Sequence, residues 1–284
     1  MNIPYLLAIC LALDLALSPV AALAATPEAQ TAPAPQKIPA TPEEVMHSWS
    51  LTAWVPAILP GSYFYSGFKS ETTYGDLKIK PTNPPPFRPE AQVHYDKIRQ
   101  AAQDGKNLVD ITADCSDQGF AYNIVQGQKE FYFSPDHITI LYRNRGIQRI
   151  WTDGRPHPKE IVLPQSYGHS IGHWDGNALV IDTVGLRGDR FIEPGLVHSD
   201  QLHMVVRLTP VADDRIRVDV TFDDPINFTR PWTAVEYLKR EIPQTEEDRD
   251  FQFLEFTCEN NRTGNVDGVS VLLGPDGKPL GGTP

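Results

Sequence analysis

Cysteine is scarce in this chain, with three residues in 284, and no CxxC pair occurs. That excludes a zinc-ribbon or thioredoxin-type centre. No glycine-rich phosphate loop and no dinucleotide fingerprint is present, so neither a nucleotide nor a redox cofactor is expected. Basic residues are in the minority, 25 against 36 acidic, and none form a run. The net charge of −11 would repel a phosphate backbone, which argues against nucleic-acid binding. A Gly-x-Ser-x-Gly elbow is also missing, which argues against a serine hydrolase. Long helices have little room, because 26 prolines and 20 glycines punctuate the chain.

The longest apolar stretch is the start, MNIPYLLAICLALDLALSPVAALA. It is shorter than the roughly 20 apolar residues a bilayer span needs. Ala22-Leu23-Ala24 fits a signal-peptidase site, so residues 1–24 are expected to be a signal peptide and the mature chain periplasmic or secreted, without stable membrane insertion. Residues 25–42 are rich in Pro and Ala and carry almost no large apolar side chains. They read as a disordered linker. Residues 43–284 remain, enough for one domain. With Cys10 in the leader, Cys115 and Cys258 are left, and two cysteines in an oxidising compartment usually pair. The alternative is two inert buried thiols.

The rest of the chain reads as strands and turns. Pro89 and Gly105 bracket one helix over Glu90–Asp104, with Val93, Ile98 and Ala101 or Ala102 as its apolar face. A second short helix starts at Pro42-Glu43-Glu44. Strands are expected at Glu130–Phe133, His137–Tyr142, Ile147–Thr152, Asn177–Val184, Leu202–Leu208, Arg215–Phe222, Thr233–Arg240 and Phe251–Cys258. Arg215–Phe222 alternates cleanly, with Ile216, Val218, Val220 and Phe222 inward. The expected fold is all-β: an antiparallel barrel with one or two short helices, whose interior can hold a ligand.

WTDGRPHP (Trp151–Pro158), GHSIGHWDGNALVIDTVGL (Gly168–Leu186), HSDQLHMVVRL (His198–Leu208), DDPINFTRPW (Asp223–Trp232) and FLEFTCENN (Phe253–Asn261) keep one order along the chain. Over about Cys115–Arg262 the chain resembles a family of exported, largely uncharacterised bacterial proteins. The resemblance implies a lipocalin-like barrel with the Gly-His-Ser-Ile-Gly segment near its cavity. It carries no catalytic assignment.

Five of the eight histidines fall between His157 and His203. Imidazole is the usual side chain for proton transfer near neutral pH and a frequent metal ligand. For a metal, His169 and His173 are badly spaced. On a strand they share a face but stand about 13 Å apart, at roughly 3.3 Å per residue. Acid–base chemistry needs only one imidazole within reach of a substrate proton. His169, His198 and His203 are the catalytic candidates, with Asp200 or Asp182 to orient them. Tyr167, Trp174, His157 and Trp232 are candidate substrate contacts, and Arg155 and Arg230 could clamp a carboxylate or phenolate. The leading expectation is a cofactor-free enzyme acting on a small hydrophobic or aromatic molecule inside the barrel, of lyase, isomerase or dehydratase type. The alternatives are a non-catalytic small-molecule carrier and a metal-assisted hydrolase.

Overall fold

The clearest alternation in the sequence becomes the longest sheet. In the computed structural model, β11 (His203–Ala212), β12 (Arg215–Asp223) and β13 (Trp232–Arg240) pair antiparallel, with Met204 opposite Phe222 and Val220 opposite Ala234, and the register shifts only at a bulge between Pro210 and Ala212. Their inward side chains, Met204, Val206, Leu208, Ile216, Val218, Val220, Phe222 and Leu238, are fully buried. The outward partners keep contact with solvent, which is the period-two signature of a sheet with one face on a core. The structure describes residues 37–50, 52–57, 59, 62, 72–74, 77–79, 83–104, 117–143, 146–193, 196–241, 263–266 and 269–272. Cys115, Cys258, the expected strand Phe251–Cys258 and the leader lie outside the described residues.

The remaining strands complete a closed barrel. They are β1 (Trp54–Ala57), β4 (Lys129–Phe133), β5 (His137–Tyr142), β6 (Gly146–Trp151), β7 (His169–Asp175) and β8 (Ala178–Val184). The order around the barrel is β1-β13-β12-β11-β8-β7-β6-β5-β4, with β4 returning to β1. Nine is an odd number, so strand direction cannot alternate all the way round. One neighbouring pair must be parallel, and it is β6 with β7, where Ile150 lies beside Ser170 and Trp151 beside Ile171. The other neighbouring pairs of the barrel are antiparallel, as expected of a mostly antiparallel β chain. A parallel pair cannot be joined by a tight hairpin. The chain instead makes a long excursion over residues 152–168, and that excursion carries His157. Small two-stranded sheets lie outside the barrel: β2 (Thr72–Tyr74) with β3 (Leu77–Ile79), β9 (Phe191–Glu193) with β10 (Leu196–Val197), and β14 (Thr263–Val266) with β15 (Val269–Leu272).

Three helices flank the strands: α1 (Pro42–Trp49), α2 (Pro89–Gln103) and α3 (Gly119–Gln126). Thr41 caps α1 by accepting from the Glu44 amide, and Asn177 donates to the Pro39 carbonyl at 2.8 Å, so the tail joins the domain by residue 39. Trp49 at the end of α1 packs on Trp54 and Phe131. α2 buries Tyr95, Ile98 and Ala101, whereas Val93, expected on its apolar face, is 69% exposed. The phase of the helix is set by Tyr95, whose hydroxyl donates to Glu193 on β9 at 2.8 Å. α3 was not foreseen as a helix. Phe120, Ala121, Ile124 and Val125 are all fully buried, but the cap position holds Gln118 rather than Ser, Thr, Asp or Asn and the helix opens on Gly119, so the usual start signal is missing.

Large side chains point into the lumen: Phe131, Ile140, Ile150, Ile181, Met204, Val206, Val218 and Phe222 are all fully buried. The lumen of a barrel of about this size is filled by side chains or holds one small ligand. Its polar members are hydrogen-bonded to one another. Tyr142 donates to Gln148 Oε1 (3.0 Å), Gln148 donates to Ser170 Oγ (2.7 Å), and Ser170 Oγ lies 2.8 Å from Thr183 Oγ1. Lys129 is fully buried, and its ammonium donates to the Ile124 carbonyl near the end of α3 at 2.8 Å.

Burial pushes the Lys129 ammonium down to about 7, against the opposing pull of Glu236. Between pH 7 and the ordinary lysine value, the unfolded chain binds more protons than the folded one. Stability from this group therefore rises with pH across that window, and its penalty is fully present below it. Urea unfolding of the wild type between pH 7 and 9.5 should show this upward slope, and Lys129→Met should flatten it.

Candidate functional site

β7 starts at a glycine that no other residue could replace without strain. Gly168 has φ +58°, and a Cβ there would stand 2.5 Å from the Val184 carbonyl oxygen. From this turn the strand alternates. Ser170, Gly172 and Trp174 face the lumen, where Ser170 is 1% exposed and Trp174 packs against the core near Phe133. His169, Ile171 and His173 therefore face the outside of the barrel. The same alternation on β8 buries Ile181 and Thr183 and turns Asp182 outward, and on β11 it buries Met204 and turns His203 outward.

The register brings these outward positions together. Ile171 pairs with Asp182 and Asp182 with Val205, so His169 and His203 stand one outward step from Asp182 on either side. The excursion after β6 lays His157 between them. His157 Nδ1 lies 2.8 Å from His169 Nδ1, and His157 Nε2 lies 3.1 Å from Asp182 Oδ1. His203 Nε2 reaches the same oxygen at 2.7 Å. The result is an unbroken chain, His169–His157–Asp182–His203. The excursion is held down further along by Ile161, which sits over Gly185, where φ is +69° and a Cβ would meet Ile161 Cγ2 at 2.8 Å.

The proton positions follow from donor and acceptor chemistry. Ionised Asp182 can only accept, so His157 and His203 both donate from Nε2. A neutral His157 protonated at Nε2 has a lone pair at Nδ1, so His169 donates from its own Nδ1. Two lone pairs are left over, at His169 Nε2 and His203 Nδ1, and neither has a hydrogen-bond partner among the described residues. Desolvation first, then the proximity of His157 and Arg155, hold the His169 imidazole below the ordinary histidine range. All three causes favour the neutral base.

The other expected site residues lie elsewhere or are occupied. His198 is buried, with its Nδ1 2.9 Å from the Ser199 carbonyl, and it takes no part in the array. Its segment precedes β11 and does not share the outward face of His203. Asp200 is exposed in the turn before β11, and Asp182 takes the orienting role considered for it. Arg155 is on the same excursion as His157, but its guanidinium is paired to Asp153 and stacked 3.6 Å from the centre of the Trp151 ring. Tyr167 accepts from Asn123 and stacks on Tyr142, and Trp174 faces the lumen. Trp232 is buried against Phe222 and donates to the Asn83 carbonyl. Arg230 is exposed beside Pro231. His157 was expected to contact substrate, but it is the central link. The signal for Asp182 was present in the sequence: an acid at an outward position of the otherwise apolar strand ALVIDTV.

Among the described residues, no group of three or more His, Cys, Asp or Glu is placed to hold a metal ion. Comparison with protein-family models, curated proteins and solved structures yields no match.

Nitrogen-detected NMR of the histidine rings checks the proton assignment. His157 and His203 should be Nε2-protonated and His169 Nδ1-protonated at pH 7.5, with His169 titrating below the ordinary value of 6.5. An Nε2-protonated His169 would contradict it.

Proposed function

We propose that the chain is an exported enzyme that moves protons on a small hydrophobic or aromatic molecule, by lyase, isomerase or dehydratase chemistry. The single observation behind this reading is the continuous His169–His157–Asp182–His203 hydrogen-bonded chain. The site is the outer wall of the barrel rather than its lumen. His169 is the base. When Nε2 takes a substrate proton, the Nδ1 proton can move to His157, and the resulting imidazolium stands on the Asp182 carboxylate. The proton is returned from His169 Nε2, with the Nδ1 proton moving back from His157, while His203 donates to the Asp182 carboxylate and holds it in place. An orienting carboxylate behind an imidazole serves both to fix the tautomer and to stabilise the charged ring. Ile171 and Trp151 occupy the neighbouring outward row and offer an apolar surface for the substrate body.

Export rests on the leader pattern.

The test is base-catalysed ring opening of 5-nitrobenzisoxazole, an aromatic carbon acid. Removal of its C–H proton breaks the N–O bond and releases a nitrile phenoxide, so no co-reactant is needed. Wild-type turnover should fall by roughly 10²-fold in His169→Ala, and by at least about tenfold in Asp182→Asn through loss of the oriented relay. His173→Ala, exposed on the same strand, should match the wild type. The wild-type rate should be level at neutral pH and decline on acidification below 6.5, as His169 takes a proton. Equal rates in the wild type and in a His169→Ala, His203→Ala double variant would overturn the proposal.

A further inference from the structure

A second site lies away from the histidine chain. A cleft of about 340 Å³ opens between α2 and the segments 196–199 and 226–227. Phe87, Ala91, Leu196 and Ile226 form most of its apolar wall, with Glu90 and His94 on the α2 side. The volume is at the lower end of the range for small-molecule sites, roughly 300–1,000 Å³. It suits one ring with a short side chain.

The wall is pre-formed. The Asp224 carboxylate accepts from the Ser199 amide (2.8 Å), the Ser199 hydroxyl (2.7 Å) and the Asn227 side-chain amide (2.8 Å), which ties together the two segments that line the cleft. Phe87 is held by ring contacts with Tyr95 and Phe228. His198 is the unusual member of the lining. It is 2% exposed, its Nδ1 faces the Ser199 carbonyl, and its Nε2 is buried without a hydrogen-bond partner. Facing a carbonyl, Nδ1 must carry the proton. Nε2 of the neutral ring is then a lone-pair acceptor with nothing to accept from, and burial lowers the tendency of the ring to take a second proton. An unsatisfied buried acceptor costs free energy that a donor on a ligand recovers.

We propose that this cleft binds a small neutral molecule with an apolar body and one hydroxyl or N–H donor, a simple phenol being the type, with the donor satisfying His198 Nε2 once a small shift of the surrounding side chains uncovers this buried nitrogen. The carboxylate of Glu90 at the cleft disfavours anions. A site built around one hydrogen bond discriminates strongly against an analogue that lacks it.

Titration calorimetry with 4-propylphenol and its methyl ether tests this. The phenol should bind the wild type at least tenfold tighter than the ether. His198→Phe should erase the difference while leaving the apolar wall intact. Ile226→Trp, at a position 52% exposed and so tolerant of change, should fill the cleft and abolish binding of both. Binding should be unchanged in His169→Ala, which separates this site from the outer-wall array. Equal affinity for phenol and ether in the wild type, no phenol binding at all, or full binding in Ile226→Trp would each overturn the proposal. Should His198→Phe fail to fold, the wild-type ratio and Ile226→Trp decide it.

Discussion

The parallel contact between β6 and β7 is the constraint on which the site depends. A closed ring of nine strands must contain a parallel neighbour, and a parallel neighbour demands a long connection. Had β6 and β7 been joined by a hairpin, there would be no excursion over the outer wall and no His157 beside Asp182. The excursion carries His157 to the array and is then anchored by Ile161 against Gly185. The residues that look most like chemistry are thus assembled by a topological requirement of the barrel.

Packing inside the barrel sets geometry outside it. Within the strand that begins at His169, successive side chains serve different masters. Ser170 joins the hydrogen-bonded row from Tyr142 to Thr183, and Gly172 leaves room for Ile150, whose Cγ2 would lie 2.6 Å from an added Cβ. His169 and Ile171 face the other way. Because the period is two, a slip of one residue would exchange these roles completely. The buried polar row is therefore a register device. It satisfies its members only in one alignment, and that alignment is the one that sets His169 and His203 on either side of Asp182.

The fold was legible where alternation was clean and punctuation strong. β5 appears with the bounds expected, β12 with one added residue, and α2 one residue early. α3 was illegible because no usual capping residue marks its start, and on α2 Ile98 and Ala101 are buried as expected while Tyr95 takes the place of Val93. On β7, His169 and His173 share the outward face expected of alternate strand positions. The opposite strand parity expected for His198 and His203 does not apply, because β11 begins at His203 and His198 precedes it.

These placements change what the histidines mean. A cluster of imidazoles in one stretch of sequence suggested one pocket, but the structure divides it. His157, His169 and His203 share one carboxylate on the outer wall, while His198 is sealed behind it in sequence and apart from it in hydrogen bonding. The two environments impose opposite demands. On the outer wall each imidazole that touches Asp182 donates, so the array exports its basicity to the two nitrogens at its ends. At His198 the ring donates to its own backbone, and burial keeps the remaining nitrogen an acceptor. Partly exposed and coupled to an acid, an imidazole is suited to exchanging protons. Buried and alone, it is suited to holding on to a donor. On the readings proposed above, the same residue type would support transfer in one place and recognition in the other, and only the neighbours of each ring distinguish them.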